Sequence, residues 1–119
     1  MRGAFVALIA LACLEACKPT GVAHSGIGDP ARGKAVITSA QCGACHQIPG
    51  VVGADGQVGP PLASFGRRTI IAGVLPNTPA NLVHWLQSPQ SVKPGDAMPD
   101  TGLTVQQASD AASYLNRLY

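Results

Sequence analysis

The sequence predicts an all-α domain of three main helices joined by long loops. Helix-start signals stand at Asp29-Pro30, at Thr78-Pro79 and at Thr104 with Gln107, and Pro- and Gly-rich connectors separate them. No β-rich run lies ahead of Cys42, so the first part of the chain has no strand to offer a sheet.

Each element follows from its local chemistry. Asp29 caps the first helix, Pro30 occupies its first turn, and Ala31, Ala35, Val36 and Ile37 supply apolar contacts up to Gln41. Gly33 interrupts this helix at a cost of about 1 kcal/mol relative to alanine. A close approach of another backbone would account for it. The second helix runs from Thr78-Pro79 to near Ser88, because Pro89 follows, and its apolar face is Leu82, Trp85 and Leu86. Thr104 and Gln107 form a capping-box pattern for the third, with Val105, Ala108, Ala112, Leu115 and Tyr119 at helical spacing to the end of the chain. Between His46 and Leu62 the connector reads as turns, and Pro89 to Thr101 reads as a second unstructured loop. Thr69 to Leu75 is compatible with strand or helix.

Composition narrows the function classes. The chain has 119 residues with 8 Lys and Arg against 6 Asp and Glu, a formal charge of +2, and no basic run. That is one small domain without the electrostatic footprint of a nucleic-acid binder. The apolar run Gly3 to Leu14 is about half of the roughly 20 residues a membrane-spanning helix needs. With Arg2 before it and small residues after it, the run has the layout of a secretory leader. Leu14-Glu15-Ala16-Cys17 resembles the lipobox of bacterial lipoproteins, in which the Cys after the small residue is lipidated. This points to residues 1–16 as a signal peptide and to Cys17 as the lipidated residue. Glu15 departs from the small residue usual there, which leaves Cys13 as the alternative anchor, and ordinary cleavage after Ala12 is the bland one. Lys18 to Gly28 has no apolar periodicity and carries Pro19, Gly21, Gly26 and Gly28. It reads as a tether averaging about 18 Å, with His24 solvated. The expected organisation is therefore signal peptide, anchored linker over 17–28 and a folded domain over 29–119, exported and held at a membrane.

The folded region keeps two cysteines, in Cys42-Gly43-Ala44-Cys45-His46. This is the C-x-x-C-H pattern of c-type haem attachment. Residues three apart share a helical face, so two thiols can bond the haem vinyls while the next imidazole reaches the iron. A redox disulfide would want a strand-helix setting of the thioredoxin type. A zinc site would need a fourth ligand, and His84 is the only further His of the folded region. Four aromatics, Phe65, Trp85, Tyr114 and Tyr119, make a thin core, which a buried porphyrin would complete.

With Met1 in the leader, Met98 is the one methionine available as a sixth ligand, in the polar, turn-rich context Lys93-Pro94-Gly95-Asp96-Ala97-Met98-Pro99. His84 is its rival, but it lies roughly 200° around the helix from Leu82. It is expected at the surface.

From Asp29 to Tyr119 the chain resembles a class I cytochrome c. Gly33 with Tyr114-Leu115 matches the family's contact between first and last helices, and Cys42, Cys45 and His46 match haem attachment and the proximal ligand. Gly59-Pro60-Pro61-Leu62 matches the family's G-P-x-L, which implies that the Pro60 carbonyl accepts a hydrogen bond from His46. Phe65-Gly66-Arg67-Arg68 resembles a segment whose Arg, here Arg67, lies near a haem propionate; the spacing from Leu62 is one residue shorter than in the mitochondrial form. Asn81 to Leu86, Pro89 and Lys93-Pro94-Gly95 through Met98 match the helix and loop that carry the distal Met, with Trp85 as a haem contact. Within the class, Leu75 to Leu82, Trp85 and Val92-Lys93-Pro94-Gly95 are most similar to the cytochrome c domain fused to subunit II of bacterial haem-copper (caa3-type) oxidases.

The resemblance implies the small cytochrome c fold, long loops wrapped around one covalent haem c, and one-electron transfer with His46 and Met98 as axial ligands. It implies an electron carrier, not an enzyme, with redox protein partners: a quinol-oxidising complex as donor and a terminal oxidase as acceptor. The haem subunit of a periplasmic dehydrogenase is the alternative, and a gas-binding haem sensor, which needs an open sixth site, belongs to another class.

Overall fold

The computed structural model describes residues 28–119. Cys13, Cys17 and His24, with the expected leader and all of the expected tether but Gly28, lie outside the described residues; Gly28 packs against the backbone of Ser109 and Asp110, where a Cβ would collide. The elements in chain order are α1 (Pro30–Ser39), a 3-10 turn at Cys42–Ala44, a second at Phe65–Arg67, strands β1 (Ile70–Ile71) and β2 (Leu75–Pro76), then α2 (Pro79–Gln87), α3 (Pro89–Val92) and α4 (Val105–Leu115). The fold is the all-α one expected. None of the described helices is long and apolar enough to cross a membrane.

The Asp29 carboxylate caps α1 by accepting the N–H groups of Ala31 at 2.8 Å and Arg32 at 3.0 Å. The buried stripe of the helix is Gly33 and Ile37 with Val36 beside them, whereas Ala31 and Ala35, expected as contacts, are exposed. The stripe rotates because α1 packs through Gly33, where a Cβ would run into the carbonyl oxygen of Asp110. Glycine is there so that two backbones can meet. The meeting point on α4 is the backbone of Asp110 and Ala111, one turn before the Tyr114-Leu115 pair.

Asp110 is 3% exposed. It accepts from the Asp29 N–H at 2.7 Å, from Arg32 through Nε at 2.9 Å and Nη2 at 3.0 Å, and from Gln106 at 3.0 Å. A buried carboxylate is tolerable only with such a donor set. The Arg32 guanidinium, ahead of the opposing effect of burial, holds its carboxyl below the usual range.

Thr104 and Gln107 form the capping box: Thr104 Oγ1 accepts the Gln107 N–H at 3.2 Å and Gln107 Oε1 accepts the Thr104 N–H at 2.9 Å. The helix stops at Leu115 instead of reaching Tyr119. Val105 and Tyr119 are exposed, and Ala108, Ala111, Ala112 and Leu115 form the buried face. After Leu115 the chain turns back so that the Leu118 carbonyl accepts the Gly66 N–H at 2.8 Å, which a continued helix would prevent.

Thr78 caps α2 through the Asn81 N–H at 3.2 Å, and Leu82, Trp85 and Leu86 are buried as expected. The segment Pro89 to Thr101 is more ordered than a loop. Pro89 ends α2 and occupies the first position of α3, where its missing N–H costs nothing. The return of the segment satisfies the end of α2: Thr101 donates from Oγ1 to Leu86 O at 2.6 Å and from its N–H to Gln87 O at 3.2 Å. Thr69 to Leu75 resolves into a hairpin, antiparallel with Ile70 opposite Pro76 and Ile71 opposite Leu75. The connector after His46 is turns, pinned by a bridge between Gln47 and Asp55 and by Tyr114 Oη donating to Pro49 O at 2.6 Å.

Among the described residues the core has twelve buried apolar side chains, three of them alanine. The other nine, Leu115 and Trp85 among them, all face one cavity. The core is thin because its centre is a cavity.

Candidate functional site

The cavity is about 610 Å³, within the range of sites that enclose a cofactor. Its floor is the Cys42 turn, its walls are the hairpin and α2, and the loop carrying Met98 closes another side. Cys42, Cys45, His46, Pro60, Trp85 and Met98 all line it. Residues separated by up to half the chain are thus brought to one space.

Local backbone explains how the first three arrive together. Gln41 takes a left-handed conformation, φ 57°, and turns the chain out of α1 into the Cys42–Ala44 turn. The Cys42 carbonyl then accepts the N–H groups of both Cys45 at 3.2 Å and His46 at 3.0 Å, so both cysteines and the histidine ride one turn. Neither thiol is in a disulfide. No strand precedes Cys42 among the described residues, so the thioredoxin setting is not the one formed. Burial pushes the Cys42 thiol up.

The connector closes under the turn. Gly56 and Gly59 donate backbone N–H groups to Gly43 O at 3.0 Å and Cys45 O at 2.7 Å. A Cβ on Gly59 would collide with the His46 imidazole, so glycine at 59 is the space in which that ring lies. His46 Nδ1 stands 2.8 Å from the Pro60 carbonyl oxygen. A carbonyl can only accept, so Nδ1 is the donor, and in the neutral tautomer this contact selects, Nε2 keeps its lone pair for a metal.

On the other side Met98 is half-buried against the core. Its N–H donates to Asp96 Oδ1 at 3.0 Å, and Lys93 Nζ pairs with Asp96 Oδ2 at 3.1 Å. The Met98 N–H first, and then the Lys93 ammonium, hold the Asp96 carboxyl below the usual range.

Arg67, the arginine expected beside a propionate, is exposed and is not among the residues lining the cavity. Arg68 lines it instead, half-buried, its guanidinium 5.3 Å over the Phe65 ring and donating from Nη2 to the Pro61 carbonyl. The 3-10 turn ends at Arg67 and the backbone becomes extended at Arg68, which redirects the side chain inward. The one-residue shorter spacing from Leu62 is the sequence signal that goes with Arg68, and not Arg67, lining the cavity. His84 is exposed, as expected, with Nε2 2.9 Å from Ser91 Oγ.

These groups fit a haem. Two unpaired thiols, an imidazole with Nε2 unclaimed, a thioether-bearing Met98 and Arg68 line a mainly apolar cavity, with Lys93, Asp96 and Thr101 also at its wall. Comparison with known proteins agrees. The family model described as cytochrome c matches residues 30–118. The chain is 40% identical over 68 residues to cytochrome c oxidase subunit 2 of Alkalihalophilus pseudofirmus, covering 57% of this chain and 19% of that protein. It is 38% identical over 86 residues to the same-named subunit of Bacillus sp. strain PS3, covering 69% of this chain and 24% of that protein. The chain thus spans about a quarter or less of the relatives it matches. Among solved structures it resembles the SoxXA crystal structure from P. pantotrophus, with a TM-score of 0.62 at 23% identity, covering 79% of this chain and 84% of that one; this likeness bears on the fold alone. The family match over 30–118, joined to two free thiols and an imidazole on one turn, makes the chain a member of the cytochrome c family, whose covalently held haem c serves electron transfer.

Proposed function

We propose that this protein is a one-electron carrier with His46 and Met98 as the axial ligands of its haem. The observation that carries the proposal is that His46, with Nδ1 committed to Pro60 and Nε2 free, and Met98 line the same cavity. When bound, haem c supplies a one-electron couple whose potential a His/Met pair raises. The residues around it serve that couple by staying still. The Pro60 carbonyl orients the imidazole and raises its basicity, Gly59 keeps its space open, and Trp85 supplies an apolar wall. Arg68, in place of Arg67, is the cation for a propionate.

The oxidase subunits among the relatives support a respiratory setting, with a terminal oxidase as electron acceptor and a quinol-oxidising complex as donor. Export and attachment through Cys17 to the outer face of the cytoplasmic membrane would hold the domain near such a partner.

The test is the visible spectrum of protein matured in an export-competent host. A weak ferric band at the red edge, from sulfur-to-iron charge transfer, is expected in the wild type. Met98→Ala should remove it, lower the reduction potential and allow carbon monoxide to bind the ferrous form, while the covalent haem stays. Ready carbon monoxide binding by the wild type would instead identify a gas-binding site.

A further inference from the structure

We infer that Gln90 is the positioning residue of the distal ligand: its side-chain amide holds the backbone of the loop that presents Met98. This rests on Met98 being that ligand.

Gln90 sits in the first turn of α3, half-buried. Its Nε2 donates to Asp96 O at 2.8 Å and to Met98 O at 2.7 Å, and its Oε1 accepts the Gly95 N–H at 3.0 Å. Both amide protons and the amide oxygen are therefore used on one four-residue stretch. The amide orientation follows from its partners, since the two carbonyls can only accept and the Gly95 N–H can only donate. A carboxylate at this position could make the contact with Gly95 but neither of the others.

The loop needs such a holder. It runs between Pro94 and Pro99 outside any helix or strand, and neither polar group of the Met98 backbone pairs with another backbone group among the described residues. Side chains take both: Asp96 Oδ1 the N–H, Gln90 Nε2 the carbonyl. A methionine side chain has three rotatable bonds, so its sulfur stays at a ligand position only while the backbone that carries it is held within reach. The base of α3 is held in turn, because the Gln90 N–H donates to Asp100 Oδ1 at 3.1 Å, on the far side of Met98.

The experiment compares holoprotein of wild type, Gln90→Met and Gln90→Glu. Methionine keeps the length and abolishes all three contacts; glutamate keeps the acceptor for Gly95 and loses both donors. Both variants are expected to retain covalent haem and to show a weakened sulfur-to-iron band and roughly tenfold tighter binding of imidazole to the ferric form. A factor of about ten corresponds to the loss of one to two ordinary hydrogen bonds. Because thioether prefers ferrous iron, a loosened loop frees the ferric form first. The reduction potential should therefore fall, by about 59 mV for each tenfold preference in this one-electron couple.

Band, imidazole affinity and potential unchanged in Gln90→Met would overturn the inference. If that variant does not mature, Gln90→Glu decides by the same three readouts, and failure of both to yield holoprotein also overturns it, since Gln90 would then be a folding residue of α3. A wild type without the sulfur-to-iron band refutes the Met98 ligation itself, which no behaviour of the Gln90 variants can mimic.

Discussion

Arg32 and Asp110, 78 positions apart, close a two-pronged ion pair over the crossing of α1 and α4, with Nε to Oδ2 at 2.9 Å and Nη2 to Oδ1 at 3.0 Å. The two ends of the pair differ. The Asp110 side chain is 4% exposed and that of Arg32 is 61%, so the carboxylate is the component that cannot return to water if its partner is lost. The pair joins the helix that leads into the haem-attachment turn to the helix whose Ala111 and Leu115 line the cavity.

The first prediction concerns acid. The carboxyl of Asp110 is held below its ordinary value in the fold, chiefly by Arg32. Its contribution is therefore complete above the unfolded value, about 3.9, and is lost as pH falls from there through the folded value. Asp110→Asn should cost roughly 2–3 kcal/mol at pH 7, the scale of a charge-assisted hydrogen-bond set. It should also flatten the loss of stability below about pH 4. Urea midpoints of the holoprotein at pH 7 and pH 3 measure both, and an acid limb as steep in the variant as in the wild type would remove Asp110 as its cause.

Gly33→Ala gains about 1 kcal/mol of helix propensity but drives a methyl into the Asp110 carbonyl oxygen. Backbone cannot step aside as a flexible side chain can. The net expected change is a destabilisation of about 2–3 kcal/mol, typical of overpacking, read as a lowered urea midpoint. A neutral result would show that the helices separate there at little cost.

Cys42→Ala together with Cys45→Ala should abolish covalent haem and leave the chain poorly folded, because most of the large buried side chains face the cavity the cofactor fills. Denaturing electrophoresis with a haem stain reads the first effect and far-ultraviolet circular dichroism the second. Haem that stays covalent in the double variant would contradict attachment through this pair.

Arg68→Ala and Arg67→Ala should behave differently. Arg68 lines the cavity and Arg67 is exposed outside it. Loss of a cation beside a propionate should favour the ferric form and lower the potential in Arg68→Ala alone, as measured by redox titration. A larger shift in Arg67→Ala would return the propionate contact to Arg67.

Cys17→Ser should release the protein from membranes with its haem spectrum unchanged, since the proposed anchor lies ahead of the folded domain that holds Cys42, Cys45, His46 and Met98. More than one acyl chain at a single residue exceeds the threshold for stable anchoring. Fractionation checks it, and a Cys17→Ser protein that still sediments while Cys13→Ser does not would move the anchor to Cys13.

Much of the site was legible in the sequence because its chemistry is local. Cys42, Cys45 and His46 need only one turn of backbone, and the caps at Asp29, Thr78 and Thr104 act within three residues of themselves. Gly33 also announced its role, since a glycine inside a helix asks for a neighbour; the resemblance pointed to Tyr114-Leu115, and the backbones meet one turn earlier, at Asp110 and Ala111. What only the tertiary structure decided depends on direction and long-range partners. Arg67 and Arg68 are adjacent and chemically identical, and the end of a 3-10 turn decides which of them lines the cavity. Val105 and Tyr119 keep the period of a buried face, yet the charged Asp110 takes a place in the interface because Arg32 and the Asp29 N–H arrive from the other end of the chain to receive it. The segment after Pro89 looked structureless because its order is held by side chains reaching across it, Gln90 to Met98 and Thr101 to Leu86, and no periodicity records such bonds. Patterns within a turn or two are written in composition and spacing; which side chain meets which backbone across the fold is settled when the helices pack.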